Sequence, residues 1–269
     1  MIIDFHTHVF PDKIAAKTIS YLADKARTVP FSDGTCDGLL SKAEEAGADI
    51  AVNLPVMTNP SQFESVNRFA EEINGRFLKE GSGILSFAGI HPDCDNVEEK
   101  IAHIKSRGFL GIKIHPDYQE TYIDDERYVR ILECAKKNDL IVVAHAGVDN
   151  GYEGLPVRCT PERAKNLIRK VGHSKLVLAH LGANGMAEDV ISVLCGEDVY
   201  FDTAYVLSRT DRDTFTRILA KHGEDRILFA SDSPWSDMKR DIDLIRSFGL
   251  KKETEEKILS LNAKRLLGI

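Results

Sequence analysis

Two histidines separated by one residue lie near the start of the chain, at the end of the apolar run that begins at Ile2. Side chains alternate along a β-strand, so His6 and His8 point to the same side and both imidazoles can reach one ion. Taken alone, a His-x-His pair is more often a surface or core pair than a metal site. Its meaning therefore depends on the rest of the chain.

Three later segments share one arrangement, in which an apolar run leads into a residue of metal-ligand type and turn-forming residues follow closely. The segments are Val142 to Gly147 with His145, Val177 to Gly182 with His180, and Leu228 to Trp235 with Asp232. This repetition favours a metal-binding role for the first pair over a structural one. Imidazoles with a carboxylate suit zinc, and imidazole-rich sites also suit iron, nickel or manganese.

The elements that must position these residues alternate along the chain. Short apolar runs predict strands at the N-terminus and over 49–56, 85–91, 109–115, 140–145, 175–180, 199–203 and 227–232. Helical periodicity predicts helices over 12–27, 37–46, 60–79, 97–106, 125–138, 161–171, 185–194, 211–222, 238–248 and 252–267. The strand runs are nearly continuous in apolar residues, which is typical of parallel strands covered on both faces.

Eight strands that alternate with helices predict an α/β fold, a single (β/α)8 TIM barrel with parallel strands that forms one domain over residues 1–269. A doubly wound open sheet is the competing architecture. The barrel is favoured because ligand-type residues follow strands one, five, six and eight. Only a closed ring brings the first and last strand ends together over one point.

Composition narrows the classes of function. The chain has 269 residues, 43% of them hydrophobic, and a formal net charge of −7, which argues against a nucleic-acid or anionic-membrane binder. No apolar stretch approaches the roughly 18 residues of a membrane helix, so we expect a cytoplasmic protein with a small-molecule partner, and leave a homo-oligomer open. Scattered cysteines predict neither a disulfide framework nor a cysteine zinc site: Cys36, Cys94, Cys134, Cys159 and Cys195.

The motifs at the strand ends are His6-Thr7-His8, Gly111-Ile112-Lys113-Ile114-His115-Pro116, His145-Ala146-Gly147, His180-Leu181-Gly182 and Ser231-Asp232-Ser233-Pro234-Trp235. As a set, they resemble the amidohydrolase superfamily, more narrowly its amidohydrolase-2 branch of metal-dependent TIM-barrel hydrolases and non-oxidative decarboxylases. The resemblance spans nearly the whole chain. The metal-dependent deoxyribonuclease group shares the first-strand motif, but it favours a glutamate as an additional ligand and no predicted strand end here offers one.

The resemblance implies a ligand set of His6, His8, His145 and Asp232 for a catalytic divalent ion, usually zinc, with His180 beside it as a catalytic or substrate-polarising group. Other branches carry a metal-bridging carbamylated lysine on strand four, where this chain has Lys113. A carbamylated Lys113 with two ions is one alternative. A free lysine beside one ion is the interpretation we favour.

A metal ion can lower the pKa of a bound water from about 15.7 to roughly 7, which makes hydroxide available at neutral pH. Asp232 would then act as general base and acid, His180 would polarise a carbonyl, and Lys113 would attract an anionic substrate. We expect further substrate contacts from His115, Arg158 and Trp235. Asp202 is a candidate for holding an imidazole in orientation, with core hydrogen bonding as the alternative.

The first hypothesis is a hydrolase that attacks a small carboxylated amide, lactone or ester with metal-bound hydroxide. The alternative is a metal-dependent non-oxidative decarboxylase of a small unsaturated or aromatic acid, in which Asp232 or His180 protonates the carbon. A barrel that keeps the ion as a structural or sensing element is disfavoured. A structural zinc site is normally closed by four ligands with no neighbouring acid or base.

Overall fold

A computed structural model describes residues 1–79 and 81–269 of the chain. Strands form where the apolar runs lie, and most are shorter than expected because each run continues into a loop at the carboxyl end. The strands are β1 (Ile3–Thr7), β2 (Ile50–Asn53), β3 (Leu78–Lys79), β4 (Ser82–Ser86), β5 (Ala88–Gly89), β6 (Gly111–Ile114), β7 (Ile141–Ala144), β8 (Leu176–Leu178), β9 (Tyr200–Asp202) and β10 (Ile227–Leu228).

Parallel pairing runs round a ring. One sheet has the order β1-β2-β4-β3 and the other β10-β9-β8-β7-β6-β5, and Phe87 alone separates β4 from β5 along the chain. The backbone N–H of Phe5 donates to the carbonyl of Phe229 at 2.9 Å, and that of Asp232 donates to His6 at 2.8 Å. These bonds join the last strand to the first, so the predicted α/β barrel is confirmed and His6 lies beside Asp232.

Helices cover the outside of the ring, except the last one, which packs against the apolar cluster inside it. They are α1 (Asp12–Ala26), α2 (Cys36–Ala46), α3 (Phe63–Phe77), α4 (Val97–Ser106), α5 (Glu126–Lys137), α6 (Pro161–Val171), α7 (Ala187–Asp189), α8 (Arg212–His222), α9 (Met238–Ser247), α10 (Lys252–Glu256) and α11 (Asn262–Leu267). Several begin at a side-chain cap, as where Asp125 accepts a hydrogen bond from the backbone N–H of Arg127.

Three helix predictions were wrong in detail. The helix predicted over 185–194 is α-helical only over Ala187–Asp189 and continues as a π-helical turn over Val190–Leu194. The helix predicted over 60–79 ends at Phe77, and Leu78 and Lys79 pair antiparallel with β4. The last predicted helix is divided by a π-helical turn over Lys257–Leu261. Within residues 1–79 and 81–269, no helix has both the length and the apolar character needed to cross a bilayer.

Strand residues alternate between two apolar layers, which fixes the direction of the side chains at the strand ends. Val142 and Ala144 of β7 pack in the outer layer against the helices, while Ile141 and Val143 belong to the cluster inside the ring. Residues of α11 extend that inner cluster. Because the interior is filled with apolar side chains, the polar groups collect at the carboxyl ends of the strands, as in other barrels.

Candidate metal centre and active site

Three predicted ligands meet at the mouth of the barrel. His6 Nε2 lies 3.2 Å from His8 Nε2 and 3.4 Å from Asp232 Oδ1, and His8 Nε2 lies 3.1 Å from the same oxygen. Ligand atoms about 2.0–2.1 Å from a tetrahedral zinc ion would be roughly 3.4 Å apart, close to these distances. Asp232 has a left-handed backbone with φ of 68°, a strained conformation that is common at functional sites.

In His6 and His8, the hydrogen bond made by Nδ1 fixes the ring so that Nε2 faces the shared ligand position. His6 Nδ1 donates to Asp202 Oδ2 at 2.9 Å, and His8 Nδ1 donates to the carbonyl of Leu54 at 2.8 Å. Each Nδ1 therefore carries the proton, and both Nε2 atoms present lone pairs. Two facing lone pairs repel each other unless a cation lies between them, so this arrangement fits a divalent ion.

His145 and His180 form a second facing pair. His145 Nδ1 lies 2.9 Å from His180 Nε2, and His180 Nδ1 donates to the carbonyl of Ala204 at 2.9 Å. The ligand atoms of His145 are not among the three that lie within 4.8 Å of one another at His6, His8 and Asp232. His145 is therefore not part of that three-residue cluster, and its Nδ1 contacts His180 instead.

Asp202 links the two imidazole pairs. Its Oδ2 accepts from His6, and its Oδ1 accepts the backbone N–H of His180 at 2.8 Å. The side chain is completely buried, and burial raises the pKa of its carboxyl. Of the two roles considered for Asp202, orientation of an imidazole agrees with this geometry.

Lys113 projects from β6 into the centre and is 1% exposed. Its Nζ lies 3.0 Å from His6 Nε2, and burial lowers the pKa of the ammonium to about 8. Burial, followed by the nearby Lys113 charge, holds the pKa of His6 well below its usual value, which favours the neutral imidazole that a metal needs.

Beyond His145 lies a third group of polar side chains that sequence reasoning missed in part. His115 stacks on His145 with ring centroids 4.0 Å apart, and His115 Nε2 is 3.3 Å from Asp149 Oδ2. His145 Nε2 and Asp117 Oδ2 are 3.8 Å apart, and neither has a hydrogen-bond partner among the described residues. Asp117 follows His115 by two residues, a spacing that could have identified it.

A cavity of about 660 Å³ opens above these groups. Arg158 is not among the described residues that line it, because its guanidinium lies beside Asp117, with Nη1 3.7 Å from Asp117 Oδ1. The other predicted catalytic, substrate-binding and metal-binding residues all line the cavity: His6, His8, Lys113, His115, His145, His180, Asp232 and Trp235.

Solved structures with the same fold cover almost the whole chain. A 2,6-dihydroxybenzoate decarboxylase from Rhizobium is 18% identical, with a TM-score of 0.73 over 99% of this chain and 98% of that one. A dihydroxybenzoic acid decarboxylase from Polaromonas sp. JS666, solved with manganese and 2-nitroresorcinol, is 16% identical, with a TM-score of 0.73 over 99% and 96%. An uncharacterized TIM-barrel protein from Bordetella bronchiseptica is 16% identical, with a TM-score of 0.78 over 99% and 98%.

At such low identity these likenesses establish the fold alone, and no curated protein matches the sequence. The family model described as amidohydrolase, of the amidohydrolase-2 type, matches residues 3–269. The predicted resemblance is therefore confirmed, and the chain belongs to the amidohydrolase-2 family.

Proposed function

We propose that this protein is a metal-dependent enzyme that removes carbon dioxide from a small carboxylic acid. The observation that carries the proposal is the convergence of His6, His8 and Asp232 on one point at the floor of a cavity. The full-length likeness to solved decarboxylases, one of them containing manganese, favours decarboxylation over the hydrolysis that was our first hypothesis.

His6, His8 and Asp232 would hold the ion, with His145 as the fourth ligand that the family resemblance implies. A divalent ion bound there would orient a substrate carboxylate and stabilise negative charge. We expect one ion and prefer zinc. Manganese is the competing element, because a solved structure of the same fold contains it and imidazole with carboxylate also suits it.

The residues of the chain supply orientation and a proton. Lys113, as an ammonium at neutral pH, would attract the substrate carboxylate. When the bond between the substrate carbon and the carboxylate breaks, the electron pair stays on the carbon and a proton must be delivered there. Asp232, after taking up a proton from water, is our choice of donor, because the Nδ1 proton of His180 is engaged with Ala204 and its Nε2 is an acceptor.

Hydrolysis of a small carboxylated amide, lactone or ester is the second candidate, and one feature favours it. Lys113 contacts His6, while His145 and His180 present a second pair of facing nitrogens. That arrangement would also suit two ions bridged by a carbamylated Lys113. Asp232 would then accept a proton from water, and His180 would polarise the substrate carbonyl.

Product analysis on the metal-loaded protein separates the two reactions. Elemental analysis first gives the ion and its number per chain, and mass spectrometry of the native protein shows whether Lys113 carries a carbamate. The protein is then incubated with dihydroxybenzoates, other unsaturated acids, lactones and amides, with the Asp232→Asn protein as control. Carbon dioxide release that the variant lacks supports decarboxylation. Hydrolysis products without carbon dioxide would overturn it.

A further inference from the structure

The cavity is larger than the proposed reaction needs. Its volume of about 660 Å³ lies in the middle of the roughly 300–1,000 Å³ range of sites that enclose drug-sized ligands. The polar groups that would perform chemistry come from the strand ends, at one part of this space. An acid with a single ring would fill only that part and leave the rest to water.

Helices α1 and α3 line the remaining space, which we call the apolar arm. Among the described residues that α1 and α3 contribute to the cavity wall, Lys17 is the one charged side chain. Thr18 and Ser65 are its polar uncharged side chains, so the wall is mostly apolar, and a mostly apolar wall that opens to solvent is typical of a binding groove. The apolar side chains of the arm are Ile14, Tyr21, Leu22, Ala26, Val66 and Phe69.

The apolar residues of α1 lie in two different environments, the protein core and the cavity. Ala15 and Ile19 are buried against the rest of the protein, whereas Ile14 is 48% exposed and Tyr21 63% exposed. These exposed side chains line the cavity instead of the core. The helix therefore presents apolar surface that the protein itself does not cover.

Contacts at its carboxyl end hold α1 against the loop that follows β7. Lys25 Nζ lies 3.8 Å from the ring centroid of Tyr152, and Arg27 Nη1 donates to Glu153 Oε2 at 3.1 Å. The same loop contributes Asp149 to the cavity beside His145. The apolar arm is thus continuous with the proposed reaction centre.

We infer that the substrate is a carboxylic acid with an apolar tail, an alkyl chain or a second ring, which occupies the apolar arm while the carboxylate lies at the metal centre. The inference rests on the proposed function for the position of the carboxylate. A small molecule is the occupant because the arm is part of one cavity with the reacting groups, and a near absence of charge on its wall suits a hydrocarbon.

Binding of 4-n-alkylbenzoates, from methyl to octyl, to the metal-loaded protein tests this inference by calorimetry without turnover. Burial of each methylene should raise affinity about threefold to fourfold until the arm is full. Leu22→Trp, which narrows the arm, should abolish this rise and leave the affinity for benzoate unchanged. Leu261→Trp is the matched control, because Leu261 is 46% exposed and outside the cavity.

Ile14→Asp provides a second variant at a half-exposed position where the fold tolerates a charge. It should weaken octylbenzoate at least tenfold and benzoate less than twofold. Equal affinity along the series in the wild type, or a second copy of the chain covering the arm in solution, would overturn the inference. If single-ring acids are decarboxylated but affinity does not rise with alkyl length, the proposed function is supported and the apolar arm is not a substrate site. If affinity rises with alkyl length but no carbon dioxide is released, the arm binds apolar chains and the proposed function is wrong.

Discussion

Histidines at the two ends of the barrel differ in what their nitrogens meet. At the amino end, His222 Nε2 donates to the carbonyl of Val199 at 3.1 Å, its Nδ1 accepts the N–H of Gly196 at 3.3 Å, and the ring stacks on Phe201. At the carboxyl end, His6 Nε2 faces His8 Nε2, and His145 Nδ1 faces His180 Nε2. Backbone groups satisfy both nitrogens of the first histidine. His6 and His8 turn their Nε2 atoms toward each other, which is the arrangement that fits an ion, whereas His145 and His180 are joined by a hydrogen bond.

Burial alone therefore does not identify a functional histidine in this protein. His6 and His222 are 1% and 6% exposed, and burial lowers the pKa of both. The difference lies in whether the inner nitrogen has a backbone partner. Variants at one end of the barrel that leave the other end intact can test this difference between the histidines.

The largest effect should come from the carboxylate at the mouth. Asp232→Asn keeps the shape of the side chain and removes a group that can carry a proton, so turnover should fall by about 10²–10⁴-fold. Activity and metal content are measured together, so that loss of the ion is not mistaken for loss of proton transfer. His222→Gln should retain most of the activity. An unchanged rate in metal-loaded Asp232→Asn protein would remove the role assigned to Asp232.

Removal of the metal should destabilise the protein only through the loss of metal contacts at the carboxyl end of the barrel. An ion present at 100 times its dissociation constant stabilises the native state by about 2.7 kcal/mol, which corresponds to several degrees in Tm for a chain of this size. Chelation should therefore lower Tm in the wild type and in the His222→Gln protein by the same amount. Differential scanning calorimetry of His8→Ala protein should show no such shift, and a full shift there would place the ion elsewhere.

Replacement of Asp202 tests whether the hydrogen bond at His6 Nδ1 matters for metal binding as well as the ligand atom Nε2. Loss of the carboxylate that accepts from His6 Nδ1 should weaken metal binding about 10-fold to 100-fold. The affinity of Asp202→Asn protein is measured by competition with a chromogenic chelator. Asp241→Asn is the matched control, because Asp241 is also fully buried and holds no histidine among the described residues. Equal weakening in both proteins would point to a general loss of packing.

Sequence patterns predicted the strand ends better than the contacts made there. The run 140–145 predicts β7 and the position of His145, because an apolar run flanked by turn residues is a local signal. The Leu54 carbonyl that holds His8 and the contact of Arg158 with Asp117 depend on tertiary packing. Residues 78–79 were assigned to a helix because helical spacing continues through them, whereas pairing with β4 decides their conformation.

The smallest effect should appear at the amino end, as a dependence of stability on pH. Burial, with a smaller contribution from Arg226, lowers the pKa of His222 from 6.5 to about 4. Between these values the unfolded chain binds a proton that the native protein excludes, so stability falls as the pH falls through this window. Between pH 7 and pH 5.5, the free energy of unfolding should decrease by about 1 kcal/mol more in the wild type than in the His222→Gln protein, as measured by urea titration. An identical pH dependence in the two proteins would show that burial does not hold His222 neutral, and His222 would then no longer serve as the structural counterpart of the histidines at the carboxyl end.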